Sequence, residues 1–281
     1  MSKDLSTTAP SWRRTTLVAL TGVAAGLLSG LFGVGGGLVI VPALIAVVGM
    51  EQRRASATSL AAIVVTAAVG ACSYGLRGEV SLVATCFLVP GALVGTQLGA
   101  WLLRRLPSRT LPWVLIGFVG LVVVLQQLHV PVREATLSLD LWRGLALVGV
   151  GLLSGIMAGL IGVGGGSVIV PGLELAVGLG DLLARGTSLL VMLPTAITGT
   201  WTNLRHGLAD LKAGVIVGTA AAVTAPFGTW LAAYVTPKQG SILFSLFLIW
   251  VATTTLLRAR RQGRRQTSPA QLGQQEQKLK S

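Results

Sequence analysis

The chemistry open to this chain begins in its backbone. Gly33-Val34-Gly35-Gly36-Gly37 and Gly162-Val163-Gly164-Gly165-Gly166 interrupt otherwise apolar sequence, and each is followed five residues on by a proline, Pro42 or Pro171. Three consecutive glycines unwind a helix instead of thinning one face of it. Proline removes a backbone donor. Helix breaks are therefore expected at Gly35, Gly36 and Gly37, at Gly164, Gly165 and Gly166, and again at Pro42 and Pro171. N–H groups freed at the start of a half-helix carry partial positive charge and, in a dry interior, hold an anion. Gly26, Gly30 and Gly33 recur at helix-packing spacing and read as close-contact glycines instead.

Few polar side chains accompany these breaks. Thr58 and Ser59, and again Thr187 and Ser188, open the second helix of each half, where a hydroxyl caps the helix or donates to an anion. Ser167 stands where the first cluster has Leu38. Asn203 and His206, near the end of a span, and Glu174, three residues past Pro171, are candidates for substrate contact or a proton relay. Their ordinary alternatives are a solvated loop histidine and a carboxylate snorkelling to the interface. Gln97 reads as a helix-to-helix hydrogen bond.

Other chemistries fail on detail. Neither cluster has the third glycine of a dinucleotide fingerprint or the Lys-Ser/Thr of a phosphate loop. Ser154 sits in a small-residue helical pattern with no base and orienting group to accompany it, so no enzyme is expected. Cys72 and Cys86 make no metal pattern. Neither metal nor cofactor is expected.

The elements that must position these residues are membrane helices. Over half the chain is hydrophobic (52%) and only 11% is charged, with mean hydropathy +0.77, far from the balance of a soluble domain. The net charge of +13 does not point to nucleic acid, because seven of the 22 Lys and Arg fall after Leu257 and others flank apolar runs. The polar start followed by Trp12-Arg13-Arg14 resembles a signal peptide superficially, and a retained first helix is expected. The fold class is an all-α polytopic membrane protein with about eight transmembrane or re-entrant elements. Residues 15–50 are too long for one upright span and too short for two. They form either an interrupted helix or a hairpin with its tip at Gly33 to Gly37.

The second half repeats the first at an offset of 129 residues: Gly33 with Gly162, Pro42 with Pro171, Thr58-Ser59 with Thr187-Ser188, Gly70 with Gly199 and Gly78 with Gly207. The expected organisation is an N-terminus (1–14), a first repeat (15–128), a connecting loop (129–141), a second repeat (142–257) and a basic tail (258–281). If each glycine region returns to its own side, the halves are inverted. Seven inter-span basic residues then lie inside (Arg53, Arg54, Arg104, Arg105, Arg109, Arg205, Lys212) and five outside (Arg77, Arg133, Arg143, Arg185, Lys238). Full spanning reverses that to five and seven, so the positive-inside rule favours inversion, with both termini cytoplasmic.

At these residues the chain resembles the sulfite exporter family TauE/SafE, also called TSUP. The likeness rests on the duplicated Gly-x-Gly-Gly-Gly-x-x-x-x-Pro pattern and the Thr-Ser pair that follows each copy. It implies a permease of the cell inner membrane for small sulfur-containing or organic anions such as sulfite, sulfoacetate or thiosulfate, coupled to protons. The partners expected are that anion, protons and the lipid bilayer, and the alternative is a passive anion channel or a structural membrane subunit. Broken helices at matching positions of two halves point to the site.

Overall fold

The structure, a computed structural model, describes residues 11–107, 110–127 and 141–266. Among the described residues ten α-helices follow one another: α1 (Ser11–Phe32), α2 (Gly37–Ala43), α3 (Gln52–Gly75), α4 (Leu82–Arg105), α5 (Leu111–Gln127), α6 (Leu141–Ile161), α7 (Gly166–Val177), α8 (Asp181–Arg205), α9 (Leu211–Tyr234) and α10 (Pro237–Gln266). A π-helical turn, Leu44–Val48, continues α2. Five of the ten, α3, α4, α6, α8 and α9, are long and apolar enough to cross a membrane. Ten helices stand where about eight elements were expected because each glycine cluster divides one apolar region in two. The connecting loop, 129–141, lies outside the described residues except for Leu141, which begins α6. Helix α10 runs past Leu257, where the basic tail was expected to start.

The first glycine region is a hairpin. Helix α2 packs back along α1, so that Ala25 lies against Gly36 and Val18 shares an apolar cluster with Ile40, Val41 and Leu44. Helices α3 and α8 form the centre of the molecule. Their most apolar stretches are 72% and 61% buried, against 39% for α4 and α9. Around them α1 packs along α9 and α4 along α6. Both outer pairs meet through small residues, as helices without a hydrophobic drive to associate must. A Cβ on Gly91, Gly95 or Gly99 would collide with the carbonyls of Val148, Leu152 or Ile156, and one on Gly22, Gly26 or Gly30 with those of Val217, Ala221 or Ala225. Large apolar side chains and tryptophans, among them Trp101, Trp142, Trp201 and Trp230, face outward, the surface that lipid requires.

These contacts set an expectation. Gly95→Leu and Gly155→Leu, forced against backbone, should each destabilise the purified protein by about 2 kcal/mol or more. Gly117→Ala, on an open face of α5 with nothing within 4 Å, should be neutral or stabilising by up to ~1 kcal/mol. Thermal unfolding in detergent reads both.

Candidate functional site

Helix α1 ends at Phe32 because the chain turns left-handed. The φ angles are +69° at Gly33, +72° at Gly35 and +77° at Gly36, and the second cluster repeats them with +75° at Gly162, +86° at Gly164 and +79° at Gly165. Side chains with a Cβ rarely adopt that backbone. Gly36 and Gly165 are the N-caps of α2 and α7, and their carbonyls accept from the N–H groups of Val39 and Ile40, and of Val168 and Ile169. Gly37 and Gly166 already have helical backbone, and close approach explains them. A Cβ on Gly37 would lie 2.6 Å from the Gly162 carbonyl oxygen, and one on Gly166 would lie 2.5 Å from that of Gly33. The two breaks therefore cross, backbone against backbone. Gly33 belongs to the break itself, which corrects its reading as a packing glycine. Gly26 and Gly30 do pack, against α9.

Each break is clasped by a serine from the opposite half. Ser188 Oγ lies 2.5 Å from the Gly33 carbonyl and 2.8 Å from that of Arg185. Ser59 Oγ lies 2.5 Å from the Gly162 carbonyl and 2.8 Å from that of Ser56. A hydroxyl has one proton to donate, so in this conformation both serines brace carbonyls. The threonines before them hold loops: Thr58 accepts from the Asp210 N–H and Thr187 from the Ser81 N–H, both at 2.9 Å. Asp210 and Ser81 in turn cap α9 and α4.

The last carbonyls of α1 have further partners. Tyr74 Oη donates to Gly30 and Arg185 Nη1 to Leu31, each at 2.7 Å. The Arg185 guanidinium also lies 3.4 Å from Asp181 Oδ2, with both side chains buried. Arg185 was expected among the loop cations that set topology; it lies instead within α8, engaged with α1. Glu174 is also buried and lines a cavity of about 20 Å³ with Phe32, Arg185 and Phe244, so it does not snorkel outward.

The crossing is filled by apolar side chains. A Cβ on either Gly35 or Gly164 would run into the methyl of Met192, and Ile63 lies beside both. Met192 and Ile63 are themselves separated by the 129-residue offset. The Ser167 hydroxyl, in the first turn of α7, is buried and has no hydrogen-bond partner among the described residues. A larger groove of about 470 Å³ lies to one side, lined by Gln97, Thr198, Thr200 and Trp201 with aliphatic neighbours. There Gln97 Oε1 accepts from Thr202 at 2.9 Å.

The structure separates the remaining candidates. Asn203 is fully buried at the end of α8. His206 is exposed, its Nδ1 2.7 Å from the Thr202 carbonyl, and Arg104 lies 3.1 Å from its Nε2, so it stands apart from the breaks. Pro171 needs correcting as a helix breaker, since α7 runs through it to Val177, whereas α2 ends one residue past Pro42 and passes into the π-helical turn Leu44–Val48. A proline six residues into a helix removes a single hydrogen bond, and packing carries the rest. Sequence reasoning missed Met192, Tyr74 and Asp181. The offset pairing of Met192 with Ile63 was the one available signal for the first.

The model of the family described as sulfite exporter TauE/SafE matches residues 2–125 and 147–279. Curated relatives are described as probable membrane transporter proteins. A probable membrane transporter protein of Haemophilus influenzae is 30% identical over 267 residues, 86% of this chain and 98% of its own length. The probable membrane transporter protein YdhB of Bacillus subtilis is 28% identical over 212 residues, 72% of this chain and 85% of its own. No solved structure matches the chain.

Removing the buried cation should expose how much the first break depends on it. Arg185→Met leaves the Asp181 carboxylate unpaired and the Leu31 carbonyl without its donor, a loss of about 3–5 kcal/mol. Ser59→Ala, which removes one neutral hydrogen bond, should cost only about 1–2 kcal/mol. Chemical or thermal unfolding of the two variants side by side checks the order.

Proposed function

This chain belongs to the sulfite exporter TauE/SafE family of membrane transporters, and from that premise we propose that it is a proton-coupled secondary transporter of small sulfur oxoanions or organosulfonates. The observation that carries the reading is the crossing of the two glycine breaks. Two half-helices, α2 and α7, begin there beside each other, and their first N–H groups have no acceptor within their own helices. Helix N-termini, left-handed glycines and the free Ser167 hydroxyl offer donors and partial positive charge in a dry setting, which suits a small anion. In this reading Gly35, Gly36, Gly37, Gly164, Gly165, Gly166 and Ser167 form the site. Thr58, Ser59, Thr187 and Ser188 hold it in shape.

Met192 and Ile63 fill the crossing in the present conformation and must withdraw before an anion reaches it. An unbranched thioether does so at little cost. The two halves are read as inverted repeats with both termini cytoplasmic in the inner membrane. With Arg185 withdrawn from the loop cations, the inverted arrangement keeps seven basic residues inside, against Arg77, Arg133, Arg143 and Lys238 outside. Glu174, buried beside Arg185, is the proposed proton carrier.

Uptake into proteoliposomes tests this. Sulfite, thiosulfate or sulfoacetate should accumulate when a pH gradient is imposed and should equilibrate without one. Gly36→Ala and Gly165→Ala, each placing a Cβ on left-handed backbone, should lower transport at least tenfold while membrane expression falls far less. Unitary conductance with no response to the pH gradient would make the protein a channel and end the transporter reading.

A further inference from the structure

The two breaks are anchored unequally. Tyr74, Arg185 and Asp181 surround the end of α1, whereas the residues at the same offset beside the end of α6 are Asn203, Ser56 and Gln52. In the first set Tyr74 and Arg185 donate to carbonyls and Arg185 pairs with Asp181, whose two carboxylate oxygens have that charge beside them and no hydrogen-bond donor among the described residues. In the second, Gln52 Nε2, Ser56 Oγ and both amide atoms of Asn203 are buried with no hydrogen-bond partner among the described residues, and so is the neighbouring Arg53 Nε. Ser56 and Asn203 are completely buried. An unpaired buried polar group costs about 1–3 kcal/mol, so a group of them in one place calls for a ligand.

Their placement gathers them. Gln52, Arg53 and Ser56 occupy the first turns of α3, a 24-residue helix whose N-cap, Glu51, makes no side-chain cap. Asn203 approaches from the end of α8. Its carbonyl accepts from the Leu208 N–H, and the loop beyond it is tied to α3 where Asp210 donates to Thr58. In the first set a Cβ on Gly186 would lie 2.8 Å from Tyr74 Cβ; the same offset pairs Ala57, beside Ser56, with Asn203. Asparagine is shorter than tyrosine by a ring, and its amide donates to no carbonyl of the helix end as the Tyr74 hydroxyl does. The place adjoins the second break, since a Cβ on Gly162 would lie 2.6 Å from Ser56 Cα.

The unpaired atoms are chiefly donors, one of them the Nε of the Arg53 guanidinium, whose Nη2 donates to the Leu106 carbonyl at 2.7 Å, and the start of a long helix adds its own partial charge. The nearby Asp210 carboxylate is taken up by Arg54 at 3.5 Å and by the Ala213 N–H. We propose that Gln52, Arg53, Ser56 and Asn203 form an antechamber that holds a small oxoanion beside the second break before it reaches the crossing. The proposal rests on the transport reading above and adds to it a second, chemically distinct anion position. A multi-oxygen anion suits it because several donors converge and each oxygen accepts more than one hydrogen bond.

Sulfite is the probe, with the full-length chain both in detergent and in proteoliposomes. Wild type should be stabilised against heat by sulfite in a saturable way, and Asn203→Leu, Asn203→Asp and Ser56→Ala should each weaken that binding and raise the KM of uptake roughly tenfold or more. Asn203→Leu replaces an unpaired buried amide with an apolar group of similar shape, so it should fold at least as stably. Should it fail to fold, Ser56→Ala, which removes one oxygen, decides the matter. If wild type transports sulfite and these variants leave binding and KM unchanged, the antechamber is overturned while the transport reading stands. If wild type moves none of sulfite, thiosulfate or sulfoacetate under any gradient, the transport reading falls and the antechamber with it.

Discussion

Unwound backbone in an apolar interior must find hydrogen-bond partners within the protein, and the rest of this structure follows from how that demand is met. Two left-handed glycine breaks lie in contact, and the carbonyl that each exposes is taken by a serine of the other half. In hydrocarbon no water is available for the same task. The clasp therefore fixes which helices must be central. Helices α3 and α8 carry Ser59 and Ser188, and they are also the most buried of the helices long enough to span. The outer pairs then pack by small residues around a centre whose two break carbonyls are already taken.

Crossing also explains why the glycines are not interchangeable. Gly35, Gly36, Gly164 and Gly165 are needed for their backbone angles. Gly37 and Gly166 are needed because the opposite backbone passes where a Cβ would be. A cluster of this kind is both a conformational requirement and a packing requirement, so substitution at neighbouring positions fails for different physical reasons. That combination gives a local glycine run its long-range consequence: the two helical halves cannot separate at the centre without taking the serine donors from the Gly33 and Gly162 carbonyls.

Much of this was legible in the sequence, and the divide falls between local and tertiary effects. Consecutive glycines announced the breaks because backbone freedom is a local property, and the 129-residue offset paired Gly33 with Gly162 and Ser59 with Ser188 before any contact was known. The partners of those serines were not legible. They lie 103 and 155 residues away in the chain, and nothing in a serine's neighbours tells whether its proton goes to its own helix, to a ligand or to another segment. Arg185 misled for a related reason. An arginine close to a loop ordinarily marks the membrane boundary, but Asp181 one turn earlier makes burial tolerable and the end of α1 supplies acceptors. Pro171 misled because a proline's effect on a helix depends on how much packing supports the turn beyond it.

The unequal anchoring of the breaks bears on how such a centre moves. At the first, a tyrosine hydroxyl, a guanidinium and a serine all donate to the carbonyls of one helix end, and an internal carboxylate balances the charge. Displacing that end would strand a buried ion pair. At the second, Ser59 holds the equivalent carbonyl and Ser154 donates to that of Gly165, while Gln52, Ser56 and Asn203 bring unpaired polar atoms. Displacing that end strands less, and a bound anion would satisfy groups that the protein leaves open. Repeats alike in backbone can thus divide the work through a few substitutions: Tyr74 against Asn203, Arg185 against Ser56 and Asp181 against Gln52 make one half a fixed anchor. On the proposed reading, an anion bound at the other half would add stability there, which is what coupling binding to movement requires.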